Sequence, residues 1–258
     1  MSRHTGFPAL TVARYTLTEA LRSGLPWLAA IALAAAVSFA AFLARAAIAE
    51  GPALQTAAGA ALLRACAVFL AGIYVAGSVA REINDKGVEL VLALPISRPV
   101  YYAGKLIGFC CVGAILALLF ALPLLAWARP ADVAAWVLSL AVETALVAAL
   151  ALFFASALTQ TVSAIAATAG LYLLGRSMET IQAIARDPLT GETLHDALRW
   201  IVDALAFALP RLEAATRSDW LLYGAPPLPE LAQTLGGMAL YALLLSAAGL
   251  FDFVRRNF

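Results

Sequence analysis

Charge is scarce in this chain. Of its 258 residues, 13% are Asp, Glu, Lys or Arg and 63% are hydrophobic. A soluble domain carries about 25% charged and about 45–50% apolar residues. So little charge excludes an ordinary soluble fold and points to a bilayer as the medium. Lysine is nearly missing, with Lys86 and Lys105 its two copies. The net charge of +1 leaves no basic excess to attract nucleic acid. Cysteine is limited to Cys66, Cys110 and Cys111, none in a CxxC pair, and His4 and His195 lie far apart. No structural zinc spacing results. HExxH and GxSxG are missing too, which argues against an intramembrane protease or another enzyme. A GxxxxGK[ST] phosphate loop is also lacking, so the chain has no ATP-binding signature of its own.

Long apolar runs are what the chain has. A helix needs about 20 apolar residues to cross a hydrocarbon core of about 30 Å. Six runs meet that need, at 25–44, 61–80, 106–128, 133–158, 162–178 and 231–254. They predict an all-α integral membrane protein forming one domain over residues 1–258. The N-terminal stretch is too polar for a cleavable signal, so the first run is expected to stay as an anchor. Before it, residues 11–23 read as an interfacial amphipathic helix. Leu10, Ala13, Leu17, Ala20 and Leu21 form its stripe, with Arg14, Thr18 and Arg22 opposite. A longer segment, 180–230, separates the fifth and sixth runs. It holds a second amphipathic stretch, 193–209, with Leu194, Ala197, Leu198, Ile201, Leu205 and Ala208 on one side, stopped by Pro210.

An even number of spans puts both termini on one side. Arg3, Arg14, Arg22, the four basic residues between 81 and 105, Arg255 and Arg256 share that side. The other side carries Arg45, Arg64, Arg129 and Arg176, plus four arginines in the long segment, which count little toward topology. The bias predicts cytoplasmic termini and a cytoplasmic 81–105 loop.

That loop is the most informative stretch. Residues 81–86 are polar, Gly87 breaks them, and 88–94 form a short apolar turn around Glu89, closed by Pro95. Ser97 can cap the next helix, with Pro99 in its first turn. A short helix held between two spans can press into a groove on a soluble protein. The physics alone equally allows a solvated connector with ordinary topogenic charges.

The pattern tips the choice. Glu82 and Glu89 are followed by Leu90, Leu92-Ala93, Pro95-Ile96-Ser97-Arg98, Tyr101 and Gly104-Lys105. This resembles the first cytoplasmic loop of ABC transporter permeases of the ABC-2 type exporter class. The N-terminal amphipathic helix, the six spans, the longer outer segment, the Leu209-Pro210-Arg211-Leu212-Glu213 stretch and the Arg-rich tail agree with it, although Arg211 stands where such permeases often have Asn. The resemblance implies that Arg81, Glu82, Asp85, Lys86, Gly87, Glu89 and Leu90 form the ATPase-coupling contact. It implies two copies of a separate ATPase that bind ATP and Mg, and a second permease copy, identical or closely related. It also implies a bacterial inner-membrane location and a periplasmic partner or exit role for 180–230. The permease itself would bind no cofactor. A membrane scaffold that binds a soluble partner without transport is the alternative from another class.

Charges within the spans are expensive. Glu143, about ten residues into the fourth run, can bind a proton or cationic group as in a secondary carrier, pair with Arg64, or reach the outer interface. Arg176 and Glu179 are spaced for an i,i+3 pair. Gly104 and Gly108 form a GxxxG suited to close helix packing or a dimer. The five tryptophans, Trp27, Trp127, Trp136, Trp200 and Trp220, are expected in interfacial belts.

Overall fold

The computed structural model describes residues 8–48, 50–85, 97–158, 160–185, 200–207, 209–210 and 212–255. All regular structure among them is helical. The helices are α1 (Pro8–Arg22), α2 (Leu25–Ala46), α3 (Gly51–Asn84), α4 (Arg98–Ala121, extended by a 3-10 turn Leu122–Ala126), α5 (Pro130–Ala157), α6 (Thr161–Arg176), α7 (Met178–Ala185), α8 (Leu212–Ala215), α9 (Trp220–Tyr223) and α10 (Leu228–Arg255). Residues 200–207 are helical as well.

Proline sets the helix starts. Pro26, Pro52, Pro99 and Pro130 each place a ring in the first turn of α2, α3, α4 and α5, where the missing N–H is no loss. Ser97 takes the extended N-cap conformation before α4, as its position suggested, though its side chain makes no cap hydrogen bond. Between α2 and α3, Glu50 adopts the left-handed conformation (φ 55°), which folds α3 back along α2.

Among the described residues, five helices are long and apolar enough to cross a membrane: α2, α3, α4 with its 3-10 extension, α5 and α10. The expected fifth of six runs is α6, and it is only 16 residues long, or about 24 Å. It stops where Ser177 Oγ donates back to the Leu173 carbonyl and the chain bends into α7. By contrast α3 has 34 residues, about 51 Å, and outruns any hydrocarbon core.

Sequence pattern dictates the layering. α5 is apolar on every side, so it has to be surrounded. It packs against α3, α4, α6 and α10. Its spanning window is 61% buried, and that of α3 56%, whereas α2 and α10 are each 17% buried and form the outer layer.

α1 lies along α4, and the expected face holds in part: Ala13 and Ala20 are buried and Leu17 is partly buried. Ala13, Thr16 and Ala20 are buried, while Leu10 and Leu21 are exposed. The cause is the pair Gly104 and Gly108. A Cβ on Gly104 would lie 2.7 Å from the Ala9 carbonyl oxygen, and one on Gly108 2.7 Å from Thr16 Cβ. The GxxxG is therefore the seat of α1 within one chain. Small residues fit that seat, Leu17 packs beside it, and Leu10 and Leu21 are left outside. The tryptophans also depart from a simple belt. Trp27 and Trp200 are exposed, but Trp136 is fully buried and Trp220 nearly so. Between α6 and α10, Val202 and Leu209 are buried with Met178 and Ala185, while Ile201 and Leu205 of the expected stripe are exposed.

Gly→Ala inside a helix normally stabilises by about 0.5–1 kcal/mol. At Gly108 the sign is expected to reverse, with a loss of roughly 1–3 kcal/mol from overpacking. Gly170, with nothing within 4 Å of its would-be Cβ, is expected to show the ordinary gain. Thermal unfolding of the two variants in detergent checks both signs.

Candidate functional site

Each ionisable group inside a bilayer costs several kcal/mol unless it is partnered. The described residues meet that demand with two networks, one at the α1 end of the bundle and one midway along α5.

The first lies at the α1 end. Lys105, in the second turn of α4, has only 3% of its side chain exposed. Its Nζ is 2.5 Å from Glu82 Oε2 on α3 and 3.8 Å from Glu19 Oε2 on α1. Ser78 Oγ donates to Glu19 Oε1 at 3.2 Å. One cation thus joins three helices, and Lys105 is no solvated loop charge. The start of α4 is fixed from another side too. Arg98 Nη1 donates to the Val254 carbonyl near the end of α10 at 3.0 Å. Tyr101 stacks on Phe253, with ring centroids 5.9 Å apart. Both flanks of residues 86–96 are therefore anchored to rigid helices.

Of the expected coupling residues, Arg81, Glu82 and Asp85 lie in the last turn of α3 and just beyond it. Arg81 is exposed and its Nε donates to the Gly77 carbonyl at 3.2 Å. Asp85 is exposed. Glu82 is committed to Lys105, so its first task is internal. Lys86, Gly87, Glu89 and Leu90 lie outside the described residues, as does the apolar turn 88–94.

The second network centres on Glu143, in the middle of α5 and 0% exposed. Its Oε2 accepts from Arg64 Nη1 of α3 at 2.7 Å. Its Oε1 accepts from the Tyr172 hydroxyl at 2.8 Å and from Arg176 Nη1 at 3.2 Å, both on α6. Arg64, 1% exposed, also donates through Nη2 to Ser139 Oγ at 2.8 Å, and its guanidinium lies 4.9 Å from the Trp136 ring centroid. Arg176 Nη1 reaches on to Thr216 Oγ1 at 2.6 Å, just past α8. One carboxylate thus holds α3, α5 and α6 together and, through Arg176, the stretch just after α8.

This arrangement chooses among the readings of Glu143. It pairs with Arg64 and does not reach an interface. Both oxygens are occupied by cations and a phenol, the environment of a cross-link. The expected Arg176–Glu179 pair does not form: Arg176 turns inward and Glu179 is exposed. A second tie lies at the start of α5. Asp132 Oδ1 accepts from the Ala225 N–H at 2.8 Å, and its Oδ2 pairs with Arg129 at 2.9 Å.

Local spacing carried part of this network. Ser139 and Glu143 are i,i+4 on α5, and Tyr172 and Arg176 are i,i+4 on α6, so each pair shares a helix face. The links from Arg176 to Thr216 and from Lys105 to Glu19 have no local signal. Among the described residues, no cluster of His, Cys, Asp and Glu is placed to hold a metal. No protein-family model and no curated protein matches this chain.

Removing one member of a buried pair strands its partner, at a cost of about 3–5 kcal/mol. Glu143→Leu is expected to lose that much. Adding Arg64→Met is expected to restore part of it, with a coupling of roughly 0.5–3 kcal/mol. A double-mutant cycle by denaturation in detergent measures it, and strictly additive losses would contradict the network.

Proposed function

We propose that this chain is the transmembrane subunit of an ATP-driven exporter of the ABC-2 class, forming the pathway and gripped from the cytoplasm by a separate ATPase. One observation carries the reading: a single unbroken helix, α3, holds a member of each network. Arg64 and Glu82 are 18 residues apart in α3, or about 27 Å along its axis. A push on the segment after Asp85 bears on Glu82 and Lys105, and α3 carries it to the Arg64–Glu143 cross-link and the outer segment. The loop pattern from Glu82 to Lys105 supports the same reading, because it resembles the coupling loop of that class.

In this reading residues 162–178, α6 with the start of α7, make the fifth of six crossings, so both termini face the cytoplasm of a bacterial cell. Two ATPase copies supply the stroke by binding ATP and Mg. The exposed apolar faces of α2 and α10 meet lipid and a second permease copy. Residues 180–230 face the outside, where Thr216 and Ala225 tie them to the bundle. Arg81 and Asp85, both exposed, are the polar contacts for the ATPase, while Glu82 braces the loop from within.

Co-purification with an ATPase and ATP hydrolysis in proteoliposomes test the proposal. Asp85→Lys is expected to weaken ATPase retention. Glu82→Ala is expected to keep the ATPase bound but to lower coupled hydrolysis about tenfold, within the usual range of coupling between sites. Binding with hydrolysis untouched in Glu82→Ala would favour a scaffold instead.

A further inference from the structure

Beside the seat of α1 runs an apolar groove of about 330 Å³. Leu17 and Leu21 of α1, Ala30 and Leu33 of α2, and Ile115 and Leu119 of α4 line it. Leu21 and Ile115 are exposed along it, at 55% and 41%. The charges around it are of one sign. Arg22 follows Leu21 directly, and Arg14, expected opposite the leucines, stands at i to Leu17 at i+3 and Leu21 at i+7 and so shares their side of α1. Both arginines are exposed. Glu19 is the lone acid in α1, α2 and α4, and it is turned onto Lys105 and Ser78. Trp27, 77% exposed in the first turn of α2, has the position of an interfacial anchor.

We propose that this groove holds an acyl chain of an anionic phospholipid from the leaflet that contacts α1, with its phosphate on Arg22 and Arg14. The apolar walls give the chain a place that water cannot use. Among the described residues neither arginine is ion-paired, and Glu19, three residues before Arg22, is turned to Lys105 and Ser78, so the two exposed cations favour a negative headgroup. A soluble partner would have to bring a long apolar segment into the membrane interface, whereas a lipid is already there. The lipid would wedge α1 against α4 and so reinforce the seat at Gly104 and Gly108. This inference rests on the chain being membrane-embedded and is independent of any ATPase.

The test is native mass spectrometry of the full chain in mild detergent, titrated with phosphatidylglycerol or phosphatidylcholine of equal chain length. The wild type is expected to retain one phosphatidylglycerol in preference to phosphatidylcholine. Each arginine near an anionic headgroup is worth about fivefold in affinity, so Arg14→Ala/Arg22→Ala is expected to lose most of the preference. Arg14→Lys/Arg22→Lys is expected to keep it. Ala30→Phe, at an exposed wall position, is expected to lose both lipids, with circular dichroism showing the helices intact; should that variant misfold, the two arginine variants decide alone. Equal retention of the two lipids by the wild type, or a preference unchanged in Arg14→Ala/Arg22→Ala, overturns the proposal.

Discussion

Lys105 and its two carboxylates are the constraint on which the inner architecture depends. A buried ammonium cannot stand alone in a low-dielectric setting, and here it draws Glu82 from α3 and Glu19 from α1. That requirement fixes where α3 ends relative to where α4 begins. It also fixes α1, which would otherwise be held by small apolar contacts alone. The segment between α3 and α4 thus leaves from one braced point and returns to another.

The Glu143 network repeats the principle midway along α5 with reversed sign, one carboxylate between two guanidiniums. Both networks touch α3, and both are surrounded by helices that offer little other polar surface. In a chain with so few charges, most of those within the bundle are spoken for. The bundle therefore has one stiff point at the α1 end and one midway along α5, with plain apolar packing between them, where Gly72 meets Val147. Such a body transmits displacement along α3 better than it deforms, which is the physical content of the coupling proposal.

Much of the fold was legible from hydropathy. The predicted fourth run at 133–158 became α5 at Pro130–Ala157, and the sixth at 231–254 became α10 at Leu228–Arg255. The fifth run was legible as a helix but not as a full crossing, because Arg176 turns inward at its end. The face of α1 was legible at Ala13, Leu17 and Ala20, and it failed at Leu10 and Leu21 for a reason particular to membranes. In water an amphipathic helix buries its leucines, but beside a bilayer the lipid takes the leucines and the helix contact takes the small residues. Ala13, Thr16 and Ala20 are those residues. The glycine pair at 104 and 108 was the one clue to them, and it is equally suited to a contact between two chains. Trp136 was read as a belt residue from its place near a span end, yet Arg64 on another helix claims its ring. Contacts of that kind, between residues far apart in the chain, leave no periodic trace.

The account turns on which side of the membrane the braced segment faces. Replacing Cys66, Cys110 and Cys111 by alanine and placing one cysteine at Asp85 or at Arg217 makes each position separately visible to a membrane-impermeant maleimide. The account predicts labelling at 217 in intact cells and at 85 only after lysis. Labelling at 85 in intact cells would put the braced segment outside, beyond the reach of any cytoplasmic ATPase, and would contradict it.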